Sequence, residues 1–220
     1  MGLTRVLDLS PPVSPRLAVW PGDVPYRREP TRTLAGAEVA EESSIASTLH
    51  LGSHADAPSH VLAGGAPIDA IPPGTYVGLC QVVEARVGPG SRVFPQDLLS
   101  PVAAPRVLVR TGTYPDPERF TTGFAGLSVE LAEHLAGRGV LLVGVDTPSV
   151  DPFDDPTLAA HRSLARLGLV WLEGLRLDRA APGLYTLVAV PLRLEGADAS
   201  PVRALLLDAP EDLSGSGPGA

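Results

Sequence analysis

Glycine and proline interrupt this chain at short intervals, and nearly every apolar run between the breaks is too brief for a helix. "GLCQVVEARV", "RVLVRTG", "GVLLVGVDT", "GLVWLEGL", "YTLVAVPLRL" and "VRALLLD" are β-branched or leucine-rich, and each is bounded by Gly or Pro. Proline removes a backbone donor and glycine weakens element interiors, so runs of this kind read as sheet strands. "RVLDLS" over residues 5–10 reads as a first strand, stopped by Pro11 and Pro12. Over residues 44–51, Ile45, Leu49 and Leu51 share one parity while Ser44, Ala46, Thr48 and His50 share the other, which predicts a strand with His50 on its polar face. Only two stretches carry a helical pattern. One runs over residues 129–138, with Ser128 as N-cap and Gly139 as stop; the other starts at Pro156, after Asp155, and is ended by Gly168. In the second, Leu158, His161, Leu164 and Ala165 share a face, so the imidazole points inward, whereas His134 lies beside Glu130 and Glu133 and reads as surface. The order of elements predicts a mixed α/β or α+β fold, a single strand-rich domain with few helices.

Composition narrows the classes of function. With 23 Gly and 24 Pro among 220 residues the chain could pass for a disordered one, but 44% hydrophobic against 19% charged residues argues for a packed core. All 17 basic residues are arginines, scattered rather than striped, and the net charge of −8 opposes both a phosphate backbone and an anionic membrane. No nucleic acid and no membrane partner is expected. Cys80 is the single cysteine and sits in an apolar run, which reads as a buried strand thiol rather than a nucleophile. The first residues lack the apolar core of a signal peptide, and a cytoplasmic protein is expected. The domain is expected to span residues 1–213, with "SGSGPGA" at 214–220 a flexible tail.

Against that background "LHLGSHADAPSH" stands out, because it places three of the five histidines within the eleven residues from His50 to His60. Gly52 permits a tight bend and Pro58 disfavours helix at Ala57, so 54–60 is expected to be an irregular loop leaving a strand end, where ligands commonly sit. His50, His54, Asp56 and His60, joined by inward-facing His161 and by Glu173 at the end of the apolar "LVWLE", form a set of nitrogen and oxygen donors suited to zinc, manganese or iron(II). The bland alternatives are turn-capping histidines, an Asx turn at Asp56, and an arginine partner for Glu173.

The string "HLGSHADAPSH" resembles the H-x-G-[TS]-H-x-D-x-P-x-H signature of the cyclase-like metal-dependent hydrolases, in particular their kynurenine formamidase (arylformamidase) branch. "LDLS", "WPGD", "GVDTPSVDP", "AAHRSLARLGLVWLEGL" and "PLRLEGADASPVRALL" extend the likeness over most of the chain, with Ser53 at a position where Thr is commoner. The resemblance implies a β-barrel-like core, a homodimer, and two zinc ions per chain, with manganese as the alternative metal. Carried over by position, it makes His50, His54, Asp56, His161 and Glu173 the metal ligands, His60 the proton-transfer residue, and Trp20 of "WPGD" a substrate-binding residue that could equally be a packed loop anchor. The implied reaction is hydrolysis of N-formyl-L-kynurenine to L-kynurenine and formate. The rivals are a sister hydrolase acting on isatin or another aryl amide, and a metal-binding protein without catalysis.

Overall fold

A computed structural model describes residues 5–36 and 38–208, so the expected tail at 214–220 lies outside the described residues. In chain order the strands are β1 (Val6–Asp8), β2 (Arg27–Arg32), β3 (Glu42–Ala46), β4 (His54–Asp56), β5 (Val77–Glu84), β6 (Arg92–Val93) and β7 (Arg106–Arg110). They continue with β8 (Gly126–Leu127), β9 (Leu142–Val145), β10 (Val170–Glu173), β11 (Gly183–Val188), β12 (Ala199–Pro201) and β13 (Leu205–Asp208), and the α-helices are α1 (Val129–Gly137) and α2 (Ala159–Arg166).

Nine strands form one sheet in the order β1-β13-β11-β5-β7-β9-β10-β4-β12. Its centre, β5 to β10, is parallel, and antiparallel strands extend it on both sides. Parallel neighbours need crossovers, and α1 and α2 supply those leading into β9 and β10. The sheet has to curl. β12 lies at one edge and β13 is second from the other, yet only residues 202–204 separate them in the chain. Three residues span at most about 10 Å, far less than the width of six intervening strands, so the two edges approach and the sheet rolls into a half-barrel.

Alternation along the strands builds two apolar layers. Cys80, Val82, Leu108, Leu142 and Leu172 fill the inside of the curl, while Val83, Val107, Val109, Val143 and Trp171 face α1 and α2. Cys80 is fully buried, and burial pushes its thiol up to about 12, which makes it inert. Ser128 caps α1 by accepting from the Leu131 amide, as the sequence predicts.

Three local expectations are corrected. α2 begins at Ala159, after Pro156 and Thr157, because Asp155 turns the chain back by accepting from the Thr157 and Ala159 amides, and Leu158 is left-handed at φ 50°. The strand predicted over 44–51 ends at Ala46; β3 pairs only with β2, every residue of both is exposed, and no core face rewards the alternation. Conversely, 54–60 is not a loop throughout: His54–Asp56 is a strand between β10 and β12, and Pro58–His60 is a 3-10 turn.

Candidate metal centre and active-site cavity

Strand register brings the site together. β4 pairs antiparallel with β10 so that His54 lies opposite Glu173 and Asp56 opposite Trp171, while Ala55, on the other face, enters the inner core. His54, Asp56, Glu173 and Trp171 therefore share the face that α2 covers, and His161 comes down onto them from α2. His50 and His60 approach from the segments flanking β4.

The distances are short and mutual. His54 Nε2 lies 3.2 Å from Glu173 Oε2 and 3.4 Å from Asp56 Oδ1, and His50 Nδ1 lies 3.0 Å from the same Oδ1. His161 Nε2 lies 3.1 Å from Glu173 Oε1 and 3.6 Å from Asp56 Oδ2, with His60 Nε2 4.0 Å from that oxygen. Three donor groups, His50 with His54 and Asp56, Asp56 with His60 and His161, and His50 with His60 and Asp198, each converge closely enough to hold one ion. Asp56 belongs to the first two. His54, Asp56, His161 and Glu173 are at most 3% exposed, yet His54 Nε2 and Asp56 Oδ1 find no hydrogen-bond partner among the described residues. Buried polar atoms are rarely left so, and a cation satisfies both at once; the residues fit a divalent metal.

Of the alternatives weighed from sequence, only a turn-capping contact is seen, His54 Nδ1 lying 2.9 Å from Gly52 O while its Nε2 faces the site. Glu173 meets two imidazoles and the Val150 amide, which donates to Oε1 at 2.8 Å, and no arginine among the described residues pairs with it. Asp56 forms no Asx turn; its Oδ2 accepts from Trp171 Nε1 at 2.9 Å. His134 is half-buried on α1 and does not line the cavity.

Electrostatics shows the same unmet demand for positive charge. For His50, burial opposes protonation, but contact with Asp56 and then Asp198 overrides it and raises the imidazole to about 9. Burial likewise opposes protonation at His54 and His161, and the surrounding carboxylates outweigh it, so both are raised. At His60 burial prevails over the Asp56 charge and the imidazole is lowered, which keeps it neutral near pH 7. Asp56 and Glu173 are lowered, burial notwithstanding, by those imidazoles. Protons gather where cations would otherwise sit.

Two carboxylates that contact the site histidines were not singled out from sequence. Asp151 Oδ2 accepts from His161 Nδ1 at 2.8 Å, fixing Nε2 as the nitrogen free to face the site, and Arg92 holds the other oxygen at 2.9 Å. Asp198, just before β12, lies 3.0 Å from His50 Nε2 and 3.5 Å from His60 Nδ1. Both fall within strings already quoted, but neither residue alternates or spaces with the histidines.

His50, His54, His60, His161 and Glu173 line a cavity of about 530 Å³. The aromatic side chains Trp20, Tyr114 and Phe120 line it as well. Trp20 lines the cavity and also packs against Phe153 at 5.1 Å and Phe120 at 5.5 Å between ring centroids.

Comparison with known proteins agrees with this arrangement. The Cyclase family profile matches residues 7–152. The chain is 42% identical to kynurenine formamidase from Bordetella pertussis over 206 residues, covering 93% of this chain and 98% of that protein, and equally so to the Bordetella bronchiseptica enzyme. A predicted metal-dependent hydrolase from Bacillus stearothermophilus superposes with a TM-score of 0.79 at 29% identity, covering 94% of this chain and all of the other. Isatin hydrolase A from Labrenzia aggregata shares the fold, with a TM-score of 0.76 at 23% identity over 93% of this chain and 94% of that one. With the donor cluster, the aromatic cavity and this family match in agreement, the chain belongs to the Cyclase family of metal-dependent hydrolases.

Proposed function

We propose that the chain is a metal-dependent amidohydrolase that cleaves N-formyl-L-kynurenine to L-kynurenine and formate. The observation that carries this reading is the convergence of histidine and carboxylate donors in a cavity also lined by aromatic side chains, in a chain 42% identical to kynurenine formamidase. His50, His54, Asp56, His161 and Glu173 would hold the metal, with Asp56 shared between two of the converging donor groups. Zinc suits this nitrogen and oxygen set, with manganese as the alternative. Divalent cations so held supply Lewis acidity, activating a water and polarising the carbonyl it attacks.

The chain's own residues supply the rest. Trp20 and its aromatic neighbours offer a flat apolar wall to the aryl ring and help exclude bulk water. His60, neutral near pH 7, takes the proton released as water adds to the formyl carbon and returns it to the aryl nitrogen as the C–N bond breaks. Without that proton the aryl amine would leave as an anion. Asp198, 3.5 Å from His60 Nδ1, orients the ring that carries it.

A homodimer is part of the same reading, supported by the β2–β3 ribbon, whose residues are exposed throughout. A single domain over 1–213 is supported by one sheet that takes strands from Val6 to Asp208. No helix among the described residues is long and apolar enough to cross a membrane, and a cytoplasmic location suits the lone buried thiol. The test combines elemental analysis of protein prepared without chelators with formate release from N-formylkynurenine. About two ions per chain are expected, and a kcat/KM at least about 10-fold above that for isatin. Metal without turnover would leave a binding protein, and the reverse ranking would leave an isatin-type hydrolase.

A further inference from the structure

Arg176 is the one arginine lining the cavity among the described residues. Its position follows from the end of β10. Glu173 is a site carboxylate, and at Gly174 the chain turns with φ +66°, so close to Gly52 that a Cβ there would lie 2.1 Å from the Gly52 oxygen. Ser53 fastens the turn by donating its hydroxyl to the Gly174 carbonyl at 2.8 Å, and the Arg176 amide donates to Leu9 O. Arg176 therefore sits three residues beyond a site carboxylate on a pinned backbone, at most about 10 Å along the chain.

The guanidinium is held but not used up. Its Nε donates to Asp178 Oδ1 at 3.0 Å and its Nη2 to Asp178 Oδ2 at 2.9 Å, which occupies one edge of the planar fork. No described residue accepts from Nη1. The Nη1–Nη2 edge keeps its outward N–H groups, the arrangement that grips a carboxylate with two parallel hydrogen bonds. Asp178 fixes the plane and so lowers the ordering cost of a second, incoming carboxylate.

We infer that Arg176 is the specificity residue that binds the amino-acid carboxylate of the substrate, so that the cavity selects aryl formamides bearing such a tail. The inference rests on the formamidase reading above and deepens it. In this assignment the donor residues take the formyl end, the aromatic side chains take the ring, and the tail goes to Arg176, the arginine of the same cavity lining. Away from the donor residues, Asp23 and Asp146 line the cavity, and Arg176 is the one basic side chain there among the described residues.

The test compares two formamides with the same aryl ketone, N-formylkynurenine and 2′-formamidoacetophenone, which lacks the amino-acid tail. Both are assayed with metal-loaded wild type, Arg176→Met and Arg176→Lys. The preference of wild type for the tailed substrate should fall about 10- to 100-fold in Arg176→Met, mainly through KM, the scale of one charge-assisted pair. Arg176→Lys should restore part of it. Equal losses on both substrates would make Arg176 merely structural, and a preserved preference would place tail recognition elsewhere; either overturns the inference. Wild type inert on both formamides, but active on isatin, would instead sink the formamidase reading, and this inference with it.

Discussion

Replacing Asp151 by Asn tests whether the metal site depends on a residue that never touches the metal. The carboxylate is fully buried and accepts four hydrogen bonds: on Oδ1 from Arg92 Nη1 and the Ala160 amide, both at 2.9 Å, and on Oδ2 from His161 Nδ1 at 2.8 Å and the His161 amide at 3.0 Å. An asparagine has one acceptor oxygen, so its NH2 must face one of those pairs. Turned toward Arg92, it buries a donor against a guanidinium. Turned toward His161, it forces Nδ1 to accept and moves the ring proton to Nε2, the atom that faces Glu173 and Asp56. Two charge-assisted bonds are lost either way, about 3 to 5 kcal/mol in a fully buried network. At roughly 2 to 4 °C per kcal/mol for a domain of this size, the metal-free variant should melt on the order of 10 °C lower. Metal affinity, measured by competition with a coloured chelator near neutral pH, should fall about 10- to 100-fold. A variant that binds metal like wild type and melts within about 2 °C of it would refute the tautomer argument.

His161→Ala and Glu173→Ala should each lower metal content and formamide turnover together, with circular dichroism separating ligand loss from unfolding; full metal and full turnover in both would remove them from the ligand set. His60→Ala should retain most of the metal and lose roughly 10² to 10⁴ in kcat, whereas loss of about one ion per chain would make His60 a ligand. The raised His50 imidazole stabilises the metal-free fold fully below its ordinary value of 6.5, and that contribution is lost as pH rises through about 9. Metal-free protein should therefore melt lower at pH 9.5 than at pH 7 by about a few degrees, while metal affinity rises over the same range as the cation no longer competes with the proton. A metal-free melting temperature that climbs across that window would contradict the assignment.

The parts of the fold that were legible in the sequence are those whose own burial enforces their pattern. β5, β7, β9 and β10 lie at the centre of the sheet, and their continuous apolar runs survive because both faces are covered. The alternation at 44–51 had no such enforcement, and β3 accordingly stops where pairing with β2 stops. β4 failed in the opposite direction. Its three residues are His, Ala and Asp, none a strong strand former, and it is a strand because β10 and β12 saturate its backbone from both sides. The late start of α2 has the same character, since Asp151 and Asp155 supply its N-terminal hydrogen bonds from outside the helix.

At the site, legibility followed rarity. Four of the five histidines in the chain meet in one cluster, so each histidine carried information before its surroundings were known. The acidic residues number 25, and most of them are solvated, so a carboxylate says little by its presence alone. Asp56 was found by its spacing within the motif and Glu173 by standing at the end of an apolar run. Asp151 and Asp198 had neither advantage. Asp198 reaches His50 and His60 only because β12 pairs with β4 in the register that sets Ala199 opposite Asp56. That register in turn depends on the curled edge of the sheet coming back beside the first histidines, across some 150 residues of sequence, as the His50–Asp198 separation of 148 makes plain. Local sequence reports ligands that share a segment; the carboxylates that orient them are selected by topology, and become visible only once the sheet has closed.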